Sequence, residues 1–364
     1  MKYFLFPLIT GLILMAIINL TVDIGGTWHG PDYTFTANWD KDHYWVLPLR
    51  TEERSLRTKQ IGFLPKIDTV GLGSSRFWNM DTTMFPPGTR FYNASVSGAT
   101  VWDYIALWEK FKQDGNIPKN LIIYLDTWNF NKNTWLKYRW LPNAPLVFAF
   151  MHENASREMQ ATALLEWLTG SFYQAVDLIN PTVLKASLDE WQARHKYGAV
   201  QTYILTDKAH RPTSMPAWKY DGGYLYPDDQ IQPKTLPEIT AISRNIGLGS
   251  MNAYMKDWEV DANAVTLMNY LLTDAKNHGT KVLIIQPPFQ QTAYNIIQER
   301  PEFRDIPGRY NAIVQNLLAT HQNTTYCNAI DPATAGCAPT EFIDSGHTQR
   351  SCSQKILDYC LKRP

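Results

Sequence analysis

The chain has 364 residues, 45% of them hydrophobic, enough to bury a large core and to exclude general disorder. It carries 34 basic and 34 acidic side chains, a formal net charge of zero, so the basic excess of a typical nucleic-acid binder is absent and no nucleic-acid partner is expected. Aromatic residues reach 13%, which suits a well-packed core and also flat platforms for a sugar or lipid ligand.

In chain order, the stretch from Tyr3 to Leu20 holds no charged side chain. A membrane-spanning helix needs about 20 apolar residues. Lys2 precedes the stretch and Asp23 follows it, which predicts a cytoplasmic N-terminus and a C-terminal domain outside. No small-x-small cleavage site follows within Ile18 to Val22. The expectation is an uncleaved signal anchor over residues 1–22. It makes one pass through the cytoplasmic membrane, with the membrane itself as a partner and the domain periplasmic or otherwise extracytoplasmic. Residues 23–60, with Gly25, Gly26 and Pro31, read as a stalk or lead-in.

Five short apolar runs then predict strands: Asp68–Gly73, Arg90–Val96, Asn120–Leu125, Lys281–Gln286 and Thr324–Ile330. Runs of this length suit strands buried on both faces. The segment Val101 to Gly115 reads as a helix before the third run, and about Ala262 to His278 as a helix before the fourth. The alternation predicts an α/β fold with a parallel sheet and helices on both sides. This domain would comprise 61–131 and 261–364. Residues 132–260 form an inserted, mainly helical subdomain or lid. Helices are expected over Asn154–Leu168 and Val183–His195, started by Asn154 and by Asn180-Pro181, and loops over about 197–250. His152 is assigned to a helix start. Cys327, Cys337, Cys352 and Cys360 cluster after the export signal and predict two disulfides, with three pairings open. Zinc is the rival reading, weakened by the lack of a C-x-x-C pair. Three Asn-x-Ser/Thr sequons begin at Asn93, Asn154 and Asn323.

Four polar blocks stand at or after strand ends, where ligands of parallel sheets sit. Gly73-Ser74-Ser75-Arg76 places a serine in a strand-to-helix turn, either as a helix cap or as a nucleophile with an oxyanion-binding N–H. Gly98, in Ser97-Gly98-Ala99, permits close backbone approach or an unusual backbone angle. Asp126-Thr127-Trp128-Asn129-Phe130-Asn131 offers an amide from Asn129 or Asn131, or local turn capping. Asp344-Ser345-Gly346-His347 precedes a helix and supplies a base with an orienting carboxylate. No HExxH or other metal-ligand spacing occurs, and neither a metal nor an organic cofactor is expected.

In this order the blocks resemble the SGNH (GDSL-like) hydrolase superfamily. Gly73-Ser74-Ser75 stands in place of Gly-Asp-Ser, Gly98 matches the second block, and Asp344 and His347 match the last. The third block departs from the usual Gly-x-Asn-Asp. The chain also looks similar to membrane-anchored bacterial proteins of polysaccharide O-acetylation and teichoic-acid D-alanylation. The resemblance implies a flavodoxin-like three-layer sandwich on a parallel sheet, with a helical insertion. It implies Ser75, His347 and Asp344 as a catalytic triad, with Gly98 and Asn129 or Asn131 at the oxyanion hole. The implied activity is that of an esterase or O-acyl(acetyl)transferase on an envelope glycan, with a membrane-bound acyl-donor protein as partner in the transferase case. The rival readings are a catalytically silent binding or scaffold protein of an envelope polysaccharide assembly, and a lipase or thioesterase at the membrane.

Overall fold

A computed structural model describes residues 2–22, 42–46, 53–197, 204–207 and 209–362. Among the described residues the strands are β1 (His43–Val46), β2 (Thr69–Leu72), β3 (Phe91–Asn93), β4 (Asn120–Tyr124), β5 (Ile204–Asp207), β6 (Ala217–Lys219), β7 (Tyr224–Leu225), β8 (Lys281–Gln286) and β9 (Thr324–Asn328). Five of them form a parallel sheet in the order β3-β2-β4-β8-β9. These are the five strands expected from the apolar runs, Lys281–Gln286 with the expected bounds and the other four trimmed by one to four residues.

The side chains of this sheet alternate between two cores, as the period of two along a strand requires. Val70, Leu72, Leu121, Ile123, Val282 and Ile284 face one hydrophobic cluster, built with the helices Val101–Gln113, Ala262–Asn277 and Ile306–Leu318. Ile122, Tyr124 and Ile285 face a second cluster, completed by Ile356 and Leu357 of the helix Arg350–Leu361 and by Ile239. The sheet is therefore covered on both faces, and only its strand ends and the loops beyond them are free to build a site.

Two expectations about the fold are corrected. The first is a sandwich of flavodoxin-like type resting on one parallel sheet. The structure is instead mixed α/β, because β5, β1, β6 and β7 make a second, antiparallel sheet. β1 comes from the segment read as a stalk, and β5 to β7 from the segment read as loop. These strands have two to four residues, too short for an alternating pattern to emerge. Most of the expected stalk (23–41 and 47–52) lies outside the described residues. Its remainder includes the helix Glu53–Ile61, whose Arg54 is paired with Asp103 at 2.7 Å in a buried ion pair.

The second correction concerns the N-terminal transmembrane helix. Among the described residues no helix is long and apolar enough to cross a membrane. Residues Lys2–Val22 do form a helix, but Pro7 lies inside it and Asn19 is buried. The Asn19 amide donates to the Leu178 carbonyl at 2.8 Å, and the helix packs along Pro181–Tyr197, while Leu8, Ile9, Ile13 and Leu14 stay exposed.

The insertion holds the long helices Ala144–Asn154, Arg157–Asp177, Pro181–Tyr197 and Leu236–Met255. Asn154 does not cap the second of these. Ser156 does, accepting from the Met159 N–H, while Asn180 accepts from the Thr182 N–H at the start of the third. His152 sits in the last turn of Ala144–Asn154 rather than at a helix start. The two sheets are joined by backbone bonds. The Asn93 N–H donates to the Asp221 carbonyl at 2.8 Å, and the Tyr224 N–H donates to the Trp78 carbonyl at 2.9 Å.

Two disulfides, Cys327–Cys360 and Cys337–Cys352, fasten the C-terminal helix to β9 and to the loop after it. They span 33 and 15 residues of chain, so loop-closure entropy assigns them stabilisations of about 4 and about 3 kcal/mol. Replacing either cysteine pair with alanine is expected to lower the unfolding free energy by roughly these amounts, read from urea melts of each double variant against the parent.

Candidate functional site

The site assembles at the C-terminal edge of the parallel sheet. β2 runs into Gly73, Ser74 and Ser75 and then a single 3-10 turn, Ser75–Phe77. The glycines before the serines have a steric cause. A Cβ on Gly71 would lie 2.1 Å from the Phe77 ring, and one on Gly73 would lie 2.8 Å from the Tyr124 Cβ. Only glycine lets Phe77 fold back beneath its own strand. The two serines divide the roles that the sequence left open. Ser74 is the cap, its hydroxyl accepting from the Arg76 N–H at 3.2 Å, and it is fully buried. Ser75 points its hydroxyl out of the turn.

The Ser75 Oγ lies 2.8 Å from Nε2 of His347, and Nδ1 of His347 lies 2.8 Å from Oδ2 of Asp344. The three residues named from the first and last blocks are thus linked by a continuous chain of hydrogen bonds. The loop carrying His347 is set by its own aspartate. Oδ1 of Asp344 accepts from the Gly346 and His347 N–H groups, each at 2.8 Å. Burial works to raise the Asp344 carboxyl, but the His347 ring and these two N–H donors outweigh it and hold the group below the usual carboxylate range. An ionised Asp344 accepts a hydrogen bond from Nδ1–H of the His347 ring, which leaves Nε2 to accept from Ser75.

The second and third blocks lie beside this chain. The Val96 N–H donates to the Gly73 carbonyl at 3.0 Å, and the Trp128 indole N–H donates to the Ala99 carbonyl at 3.1 Å, placing both blocks along one edge. Gly98 adopts φ +54°, and a Cβ there would meet the Arg139 guanidinium at 2.7 Å. The unusual backbone angle is therefore present, and the group packed against Gly98 is the Arg139 side chain. Asn129 is buried, with its amide 3.3 Å from the Tyr104 hydroxyl. Asn131 is not brought to the site. Its amide donates to the Tyr254 carbonyl, and its oxygen accepts from the Asn133 and Glu259 N–H groups, so it fixes a loop junction. That outcome corrects Asn131 as an oxyanion candidate.

Sequence reading missed the buried pair that holds the blocks together. Nη1 of Arg76 lies 2.7 Å from Oδ1 of Asp126, and both side chains are at least nine-tenths buried. The same guanidinium donates from Nε to the Gly346 carbonyl at 3.1 Å and from Nη2 to the Pro288 carbonyl, and it stacks 4.3 Å from the Phe289 ring. Burial raises the Asp126 carboxyl, and Arg76 offsets part of that rise. Arg76 follows the serine pair directly and Asp126 opens the third block, so both residues were visible, but their pairing across 50 residues was not. Tyr226 was also missed. Its hydroxyl donates to the Ser75 carbonyl at 3.4 Å, and its ring lies 6.4 Å from that of His347. Among the described residues no group of three or more His, Cys, Asp or Glu side chains is disposed to hold a metal ion.

Two outcomes follow from these electrostatics. Arg76→Ala strands a buried carboxylate and is expected to cost about 3–5 kcal/mol of stability. The exposed pair of Arg90 with Asp68 is the control, and Arg90→Ala should leave the denaturation midpoint nearly unchanged. The depressed Asp344 carboxyl contributes stability that is complete above the unfolded-chain value of about 4 and is lost as pH falls below it. Between pH 6 and pH 3, the urea midpoint should therefore fall less for Asp344→Asn than for the parent.

No match was found among curated proteins. A family model described as "Protein of unknown function (DUF1574)" matches residues 66–363, which include the whole parallel sheet and every residue of the hydrogen-bonded chain. Because that match spans well over half of its length, the chain belongs to the DUF1574 family.

Proposed function

We propose that this protein is a serine acyl-transfer enzyme, an esterase or O-acyltransferase acting on an envelope glycan. The observation that carries the reading is the chain Asp344–His347–Ser75, with both links at 2.8 Å, at the open edge of the parallel sheet. The arrangement agrees with the resemblance to SGNH hydrolases drawn from the four sequence blocks, and membership of that superfamily is part of the proposal. The two disulfides support an oxidising compartment outside the cytoplasm. In the transferase case an acyl-donor protein would be the partner.

In this mechanism the Ser75 Oγ forms a bond to the carbonyl carbon of an ester while Nε2 of His347 takes its proton. The carbonyl oxygen becomes an oxyanion. The Ser75 and Gly98 N–H groups and the Asn129 amide are the donors proposed to meet it. Asp344 holds the imidazolium. When the carbonyl re-forms, the bond to the leaving alcohol breaks and that alcohol takes the proton from His347. The acyl group on Ser75 then passes to water or to a sugar hydroxyl, whose proton goes to His347 and from there back to Ser75. Arg76 and Asp126 are positioning residues, since they fix the turn and the histidine loop without touching the reacting atoms.

A fluorophosphonate tests the nucleophile without knowledge of the natural acceptor. The full chain is expected to gain the mass of one phosphonyl group, with the modified peptide containing Ser75. Ser75→Ala should take up none, and His347→Ala should react about 10²- to 10⁴-fold more slowly. A folded parent that stays unlabelled, or a Ser75→Ala variant that labels as well as the parent, would sink the proposal.

A further inference from the structure

Next to Ser75 lies a cleft of about 560 Å³, within the size range of small-ligand sites. Tyr226 joins the two, since it lines the cleft and also contacts Ser75 and His347. One wall is aromatic. The Tyr224 ring packs 4.8 Å from Tyr226 and 4.4 Å from Trp78. The lining also carries three cations, Arg211, Lys219 and Arg350, against only two carboxylates, Asp81 and Asp228.

Asp81 serves Lys219 and Arg350, but Arg211 is left short of acceptors. Asp81 is shared by Lys219 and by Arg350, which reaches it from Nη2 at 2.7 Å. Asp228 takes only Nη2 of Arg211, at 3.1 Å. Nη1 of Arg211 is buried with no hydrogen-bond partner among the described residues, although the side chain is nine-tenths buried. Nε2 of Gln349 is in the same condition and lines the same cleft. Both orphan atoms are donors. A buried donor without a partner is unfavourable by itself, so such groups point to a ligand that supplies acceptors. Guanidinium beside an excess of positive charge selects an anionic acceptor, a carboxylate or a phosphate. A tyrosine wall suits the face of a sugar ring.

We infer that this cleft is a binding site for an acidic carbohydrate, its anionic group held by Arg211 and Gln349 and its ring set against Tyr224 and Tyr226. The site would present a neighbouring hydroxyl or ester of that carbohydrate to Ser75. The inference deepens the acyl-transfer reading and rests on it for the role of the bound sugar. Binding itself can be measured without any chemistry at Ser75.

The test is calorimetric titration of the full-length Ser75→Ala variant with trigalacturonate, glucose 6-phosphate and the neutral galactotriose. At least one acidic sugar is expected to bind and the neutral one to bind at least about tenfold more weakly, with the difference shrinking as salt is added. Tighter trigalacturonate assigns the anion as a carboxylate, and tighter glucose 6-phosphate assigns it as a phosphate. Arg211→Gln, made in the Ser75→Ala chain, should weaken binding of the acidic sugar about tenfold or more. If Arg211→Gln alters the thermal midpoint strongly, Gln349→Leu is the second variant, with a smaller loss expected. Equal binding of all three sugars, no binding of any, or unaltered binding in a folded Arg211→Gln variant overturns the inference. Because the serine is absent throughout, these results are separable from the phosphonate outcome. Labelling without acidic-sugar binding removes the cleft assignment alone, and acidic-sugar binding without labelling removes the acyl-transfer reading.

Discussion

The buried guanidinium of Arg76 is the constraint on which the site depends. It lies one residue beyond Ser75 and meets Asp126 after β4, the Pro288 carbonyl after β8, and the Gly346 carbonyl next to His347. Four chain segments distant in sequence are thereby held at one point, beneath the serine and not in contact with its hydroxyl. Desolvating an arginine and an aspartate is expensive, and an apolar pair could pack the same volume at less cost. What an apolar pair could not do is fix direction. A planar guanidinium with donors on three sides sets the relative orientation of the segments it bridges, and a serine–histidine hydrogen bond of 2.8 Å tolerates little error in orientation.

Local order in the histidine loop comes from a different source. Asp344 uses one carboxylate oxygen to close its own turn through the Gly346 and His347 N–H groups and the other to orient the His347 ring. One side chain therefore fixes both the backbone that carries the imidazole and the tautomer of the imidazole. The Cys337–Cys352 bridge closes the chain on either side of this loop, so the unfolded chain has less freedom to lose when the loop forms. The depressed carboxyl of Asp344 and the raised carboxyl of Asp126 show the same residue type under opposite balances. Asp344 gains donors enough to outweigh burial, whereas Asp126, fully buried with one strong partner, does not.

The parallel sheet was legible in the sequence because its strands are apolar on both faces. Residues such as Leu121 to Tyr124 and Val282 to Ile285 leave few alternatives once they alternate with helices. The meeting of Ser75, Asp344 and His347 was legible only as a motif order, since 272 residues separate the serine from the histidine. The antiparallel sheet was not legible. Tyr44 pairs with Thr206 on one side and Lys219 on the other, contacts set by tertiary packing and not by any local period. The expected transmembrane segment shows the limit of composition in another way. An uncharged stretch predicts a helix well, but which surface that helix meets is decided by partners such as Leu178, far along the chain. Asn131 misled for a related reason. A strand-end asparagine is as useful for closing a junction, here with Tyr254 and Glu259, as for facing a substrate.

A net charge of zero also conceals how charge is distributed. Neutrality over the whole chain argues against broad electrostatic attraction to a polyanion, but it says nothing about a single cleft. Beside Ser75 the balance is broken on a scale of a few residues, because one buried aspartate, Asp81, serves two cations while Arg211 keeps a donor in reserve. Burial would raise the Asp81 carboxyl, yet Arg350 and Lys219 outweigh burial and hold it below the usual carboxylate range. Such a cleft discriminates by what it leaves unpaired. A neutral ligand would bury the Arg211 donor without an adequate acceptor, whereas an anion satisfies it, and the penalty for the wrong ligand exceeds the gain from the right one. The antiparallel sheet earns its place in the fold by this criterion. It brings Tyr44, Lys219 and Tyr224 against loops of the parallel sheet, where they line the cleft beside Ser75.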